Sequence, residues 1–208
     1  MITLNDIKDA KKQLEKAISL TPLMKAPILS KEKNAEIYLK EDNLQITGSF
    51  KIRGAFNRVA LLDEKRRKNG VVAASAGNHA QGLAFAAKYF DCEATIFMPE
   101  ATPLTKVLGV KSYGANVVLI GENFDEAYAN ATKFAKENNK EFIHPFADNA
   151  VIAGQGTIAL EILEKLEDVE QIIVPIGGGG LIAGVAIAAK SINPNIKITG
   201  VVASGAKG

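Results

Sequence analysis

The sequence predicts an α/β protein built on parallel sheets, and three observations carry that prediction. From Gly70 onward short β-branched runs alternate with longer stretches of helical period; no apolar run reaches membrane-spanning length; and 47% of the 208 residues are hydrophobic against 23% charged. Parallel neighbours need crossover connections, and helices that supply them cover both faces of the sheet. At this length a sizeable core is available.

Taken in order, apolar residues at helical spacing predict an amphipathic helix over 4–20, followed by a turn at Thr21-Pro22-Leu23, where proline fixes φ and removes a donor. A strand over 35–40 and a helix over 49–68 complete the first part of the chain. Strands are then expected at 70–74, 93–98, 115–120, 141–144, 171–176 and 196–202. Between them lie helices at 79–89, 102–113, 124–138, 151–166 and 181–192. A soft domain boundary falls at 146–149. The last strand is followed only by Ala203-Ser204-Gly205-Ala206-Lys207-Gly208. A parallel strand there lacks its covering helix, so a fragment of a longer protein is expected.

Charge and composition exclude several function classes. Twenty-five Lys and Arg against 23 Asp and Glu leave a net +2, with both signs dispersed, which is no nucleic-acid footprint. Cys92 has no partner for a disulfide, and His79 and His144 without Cys pairs make no zinc site. The first 16 residues resemble neither a signal nor a transit peptide. A cytoplasmic protein with no metal, no membrane partner and no nucleic-acid partner is expected.

Three segments carry chemistry. Gly177-Gly178-Gly179-Gly180 lies between an apolar strand and an apolar helix, where free N–H groups at a helix start form an anion site open to a phosphate. Gly178, Gly180 and Ala183 also fit the dinucleotide pattern G-x-G-x-x-A, but no acidic residue follows where the ribose would need it. Lys51, in Thr47-Gly48-Ser49-Phe50-Lys51-Ile52-Arg53-Gly54-Ala55, stands near a helix start and two residues from Arg53, which favours a neutral amine able to form a Schiff base. Ser75-Ala76-Gly77-Asn78-His79-Ala80-Gln81-Gly82 gathers N–H groups, a hydroxyl and an amide at a helix entry, suited to a carboxylate. Each has a plain structural reading too: a tight βα turn, a solvated lysine, an N-cap with a locally bonded histidine. Together they ask for a ligand with a phosphate, an aldehyde and an adjoining amino-acid carboxylate, which pyridoxal phosphate with its substrate supplies.

Residues 40–51, the Ser75 to Gly82 motif, Met98-Pro99-Glu100, Gly154-Gln155-Gly156-Thr157 and the tetraglycine run resemble the threonine dehydratases, members of the fold type II or β-family of pyridoxal-phosphate enzymes. The resemblance covers about residues 21–204. It implies two parallel-sheet αβα domains: a large one from 1–70 and 149–208, incomplete at its C-terminal end, and a small inserted βα domain at 71–148. It implies Lys51 as the Schiff-base lysine, Phe50 beside the ring and Asn78 at the ring hydroxyl. Backbone N–H groups of Gly177, Gly178, Gly179, Gly180 and Leu181 would hold the phosphate, and Ser75, Ala76, Gly77, Asn78 and His79 the substrate carboxylate.

The activity so implied is dehydration and deamination of L-threonine to 2-oxobutanoate and ammonia, in a homo-oligomer of amino-acid metabolism serving isoleucine biosynthesis. Serine dehydratase or serine racemase on the same scaffold, and a non-catalytic phosphate or nucleotide binding module, are the alternatives. Two departures stand out. Ala147 occupies a position where the family carries an acid, and the C-terminal segment that places a hydroxyl or thiol at the pyridine nitrogen is absent.

Overall fold

The computed structural model describes residues 1–205; the last three positions of the 149–208 segment lie outside them. Helix α1 spans Leu4–Leu14 and opens with a capping box in which Thr3 and Asp6 satisfy each other's backbone N–H groups. It stops six residues earlier than its apolar pattern suggests. The N–H groups of Ala17 and Ile18 both turn back to the Leu14 carbonyl, and the Gln45 amide takes up both backbone groups of Ser19.

Strand β1 (Leu23–Lys25) and β2 (Tyr38–Lys40) form an antiparallel pair around the short helix α2 (Pro27–Lys33). Neither β1 nor α2 is legible in the hydrophobic pattern, since α2 buries no residue. A 3-10 turn at Asp42–Leu44 follows. The helix expected over 49–68 is two helices, α3 (Lys51–Ala60) and α4 (Glu64–Asn69). Leu62 is buried at the junction, and Asp63 caps α4 by accepting from the Arg66 N–H.

The central unit alternates as expected: β3 (Val71–Ala74), α5 (Asn78–Tyr89), β4 (Ala94–Met98), α6 (Leu104–Lys111), β5 (Asn116–Leu119), α7 (Phe124–Glu137) and the two-residue β6 (Glu141–Phe142). The four strands form one parallel sheet in the order β5-β4-β3-β6. All four residues of β3 are buried because its two faces meet different layers. Val71 and Ala73 join Phe56, Leu83 and Ile96 in one core cluster, while Val72 and Ala74 join Phe97, Ala131 and Ala135 of α7 in another. Each large side chain so buried contributes about 1.5–3 kcal/mol.

Helix α8 (Asn149–Leu163), β7 (Gln171–Pro175), α9 (Gly180–Ile192) and β8 (Lys197–Val201) complete the described chain, with β7 and β8 paired in parallel. This second sheet departs from the expectation of two covered faces. Ile172 and Val174 are buried, whereas Gln171, Ile173 and Pro175 are exposed.

The helices approach one another through glycines. A Cβ at Gly154 of α8 would lie 2.5 Å from the Arg53 carbonyl oxygen and 2.7 Å from Gly54 Cα, and one at Gly184 of α9 would lie 2.6 Å from Gly156 N. At Gly82 of α5 it would lie 3.0 Å from the Ile52 backbone. Helix α3 is therefore packed backbone to backbone between α5 and α8, and α8 against α9. The ends of these helices carry the site.

Candidate active site

Lys51 is the first residue of α3, so its side chain leaves the helix where the chain enters from the Gly48-Ser49-Phe50 loop. Its Nζ donates to the Pro145 carbonyl oxygen at 2.9 Å and lies 5.5 Å from the Phe50 ring centroid. No carboxylate pairs with it among the described residues, and partial burial holds the amine below its ordinary lysine value. The sequence attributed a weakened charge on this amine to the helix start and to Arg53, but the lowering comes from burial. Arg53, two residues on, is rotated about 200° around the helix and faces the opposite side. Its guanidinium has no exposed surface and is held by Asp42 (Nε–Oδ2 2.7 Å, Nη2–Oδ1 2.9 Å), Glu161 (Nη2–Oε2 2.9 Å) and Thr157 (Nη1–Oγ1 3.1 Å). Lys40 adds an ion pair to Glu161 at 2.6 Å.

The segment Ser75 to His79 leaves the C-terminal end of β3, whose neighbours β4 and β6 lie on opposite sides of it. Such a reversal opens a crevice beyond the strand ends. Ser75 Oγ accepts from the Gly77 N–H at 3.2 Å, Ala76 is half-buried, and Asn78 is exposed at the first turn of α5. The close contact of Gly82 with Ile52 sets this loop beside the start of α3.

The His79 side chain leaves the crevice. It is buried, its Nε2 lies 3.1 Å from the Ile143 carbonyl oxygen, and desolvation pushes it down to about 4. Since a carbonyl only accepts, Nε2 carries the proton and the ring is neutral. Only the backbone of His79 is left to face a ligand.

The tetraglycine run connects β7 to α9. Gly179 adopts φ +82°, a left-handed conformation natural to glycine, and α9 has no side-chain cap. The first N–H to close on the helix is that of Ala183, to the Gly179 carbonyl. The N–H groups from Gly177 to Leu181 have no partner among the described residues. Around Gly177 and Gly179 there is open space, but a Cβ at Gly178 would lie 2.4 Å from the Phe146 ring, and one at Gly180 3.0 Å from the Phe146 carbonyl oxygen. Two of the four glycines therefore make room for a protein side chain and backbone, and two border free volume. A cavity of about 420 Å³ touches Gly48, Phe50, Asn78, Pro175 and Leu181.

The structure thus brings together the candidate residues from α3, the β3–α5 loop and the β7–α9 loop, joined by a turn that sequence reading did not assign to the site. That turn, residues 144–148, supplies the acceptor for Lys51 from Pro145 and the ring over the glycines from Phe146. The unpartnered N–H groups and the uncompensated amine fit a ligand bearing a phosphate at one end and an aldehyde at the other.

Comparison with known proteins agrees with this chemistry. A family model described as pyridoxal-phosphate dependent enzyme matches residues 14–207. An L-threonine ammonia-lyase of Thermotoga maritima is 55% identical over 201 residues, covering 97% of this chain and 50% of the relative. A catabolic L-threonine dehydratase of Staphylococcus aureus is 48% identical over 209 residues, covering all of this chain and 60% of the relative. The crystal structure of serine racemase from Dictyostelium discoideum superposes with a TM-score of 0.94 at 41% identity, covering 98% of this chain and 66% of that one. The chain spans about half to three-fifths of the length of these two curated relatives.

Proposed function

The chain belongs to the family of pyridoxal-phosphate dependent enzymes, and from that premise we propose that it serves the dehydration and deamination of L-threonine to 2-oxobutanoate and ammonia. The observation that carries the reading is the uncompensated, half-buried Lys51 amine at the meeting point of three loops; the identity to an L-threonine ammonia-lyase supports the substrate.

When bound, the cofactor supplies an electron sink for the charge left at the substrate Cα. Lys51 would hold the cofactor's aldehyde end and, once the substrate's amino group has displaced it, would take the α-proton as a free amine of lowered basicity. The backbone N–H groups of Gly177, Gly178, Gly179, Gly180 and Leu181 would hold the phosphate, with the start of α9 adding its dipole. Phe50 would flank the ring and Asn78 would meet its hydroxyl. The backbone of Ser75, Ala76, Gly77, Asn78 and His79 and the Ser75 hydroxyl orient the substrate carboxylate. In this reading residues 1–70 and 149–208 form one domain and 71–148 an inserted one, and the site lies where they meet.

The similarity to serine racemase favours a second reading on the same scaffold. Keto-acid yields from L-threonine and L-serine, with chiral analysis of the unreacted serine, separate the two. Higher turnover of threonine supports the first reading; D-serine forming faster than keto acid supports the second. The finer reading is a cytoplasmic homo-oligomer. Its role is read as isoleucine biosynthesis, with the catabolic role borne by the name of the Staphylococcus relative as the alternative.

A further inference from the structure

In the turn after β6 one atom takes up two backbone N–H groups. His144 Nδ1 accepts from two consecutive backbone N–H groups, those of Phe146 at 3.2 Å and Ala147 at 2.8 Å. An imidazole nitrogen that accepts carries no proton, so the ring is neutral with its proton on Nε2. The same ring meets Phe146 edge to face, with centroids 4.6 Å apart and an interplanar angle of 89°, and is backed by Tyr128 at 6.0 Å and Phe142 at 6.4 Å. Between the histidine and the residues it fixes stand the two contacts already described. The Pro145 carbonyl receives Lys51, and Phe146 lies against Gly178 and Gly180.

We propose that His144 is a positioning residue: by accepting two N–H groups at Nδ1 it folds the 145–147 turn into the shape that sets the Lys51 amine and the glycine loop relative to each other. The proposal rests on the reading that Lys51 and the glycine loop receive the cofactor, and it extends that reading to a residue that touches neither substrate nor cofactor. Geometry makes the coupling direct. The two N–H bonds hold the peptide units that follow Pro145, and proline has no N–H of its own to add another. A shifted Phe146 ring would in turn release the close packing that Gly178 and Gly180 exist to permit.

Acid should break the device, because a protonated Nδ1 donates and cannot accept from backbone N–H groups. The groups facing the ring are Lys51 from α3, Asp148 at the start of α8, His79 from α5 and the Tyr128 ring from α7. Asp148 favours the charged imidazole, but its carboxylate is shared with Arg58 (2.8 Å) and with the Ala150 N–H (2.8 Å). Burial and Lys51 hold the imidazole below its ordinary value.

Two variants of the enzyme separate the atom from the ring. His144→Phe keeps the edge-to-face contact and removes the acceptor; His144→Asn places an amide oxygen where Nδ1 stood and cannot titrate. Retention is read by titrating the cofactor-free protein with pyridoxal phosphate and following absorbance, from pH 5 to 8, with circular dichroism to confirm folding. The expected result is retention weakened about tenfold or more in His144→Phe, restored in His144→Asn, with the acid-side loss of retention flattened in the latter. Unchanged retention in His144→Phe, or no recovery in His144→Asn, would overturn the proposal. If His144→Phe fails to fold, the acid limb of His144→Asn decides alone: a flattened limb supports the proposal and one identical to the unmutated protein's overturns it. Borohydride reduction of the unmutated holoenzyme keeps the two readings apart. Label on Lys51 with unaffected variants overturns only the role of His144, whereas label elsewhere overturns the cofactor reading beneath it.

Discussion

The ring of Phe146 occupies the space that a side chain at Gly178 would need: a Cβ built there would lie 2.4 Å from ring carbons Cγ and Cδ1. The two residues are far apart in sequence, yet this contact decides why the run after β7 contains glycine at that position. The four glycines are consequently unequal, and their substitution should separate packing from ligand binding.

Gly178→Ala should destabilise the protein by about 1–3 kcal/mol through overpacking, visible in thermal or denaturant unfolding without any ligand. Gly177→Ala should leave that unfolding curve in place and reduce only cofactor retention, since its added carbon enters open space beside the free N–H groups. Equal destabilisation by the two would contradict the assignment.

Reduction of the holoenzyme with borohydride, followed by peptide mapping, should place the pyridoxyl label on Lys51. Lys51→Ala should abolish labelling and turnover while leaving the unfolding midpoint nearly unchanged, because this lysine has no carboxylate partner among the described residues.

The Arg53 cluster predicts the opposite pattern. Arg53→Met would leave Asp42 and Glu161 buried with only Lys40 against two negative charges. The expected loss is about 3–5 kcal/mol in denaturant unfolding. Adding Asp42→Asn and Glu161→Gln to the same chain neutralises both carboxylates and should recover part of it.

Stability should depend on pH through His79. Its pKa is about 4 in the folded protein against 6.5 for an unperturbed histidine, so between these values the unfolded chain binds more protons and stability rises with pH. The contribution is intact above pH 6.5 and falls by about 3 kcal/mol as the pH drops to about 4. His79→Gln, whose amide still donates to the Ile143 carbonyl, should flatten this window in unfolding experiments run across it.

Ala76 has no proton to return to a substrate, so proton exchange should run from one face, through Lys51. Racemisation of serine should be slow beside keto-acid formation, and Ala76→Ser should raise it. Rapid D-serine formation by the unmutated protein would instead favour the racemase reading.

Much of the local structure was legible from neighbours in the chain. The alternation of strands and helices after Gly70, the glycine run at a helix start and Lys51 at the head of α3 all depend on periodicities and short motifs, which act over a few residues. The same local signals misread the first 69 residues. The apolar pattern over 4–20 continues past Leu14, but Gln45 captures Ser19, and the pattern over 49–68 continues past Leu62, but Asp63 offers a better cap to the next helix.

What tertiary structure alone decided are contacts between segments far apart. Arg53 reads as a charge near Lys51 until Glu161, 108 positions on, draws it to the other side of α3. Gly54, Gly82, Gly154 and Gly184 read as weak helix formers until helices meet at distances where a methyl group has no room. Pro145 and Phe146 carry no motif, because a carbonyl acceptor exists at every residue and only folding determines which one an amine meets. Sequence by itself determined which groups could do chemistry; the packing of α3 between α5 and α8 determined where they point, since orientation is set by close contacts that no local pattern encodes.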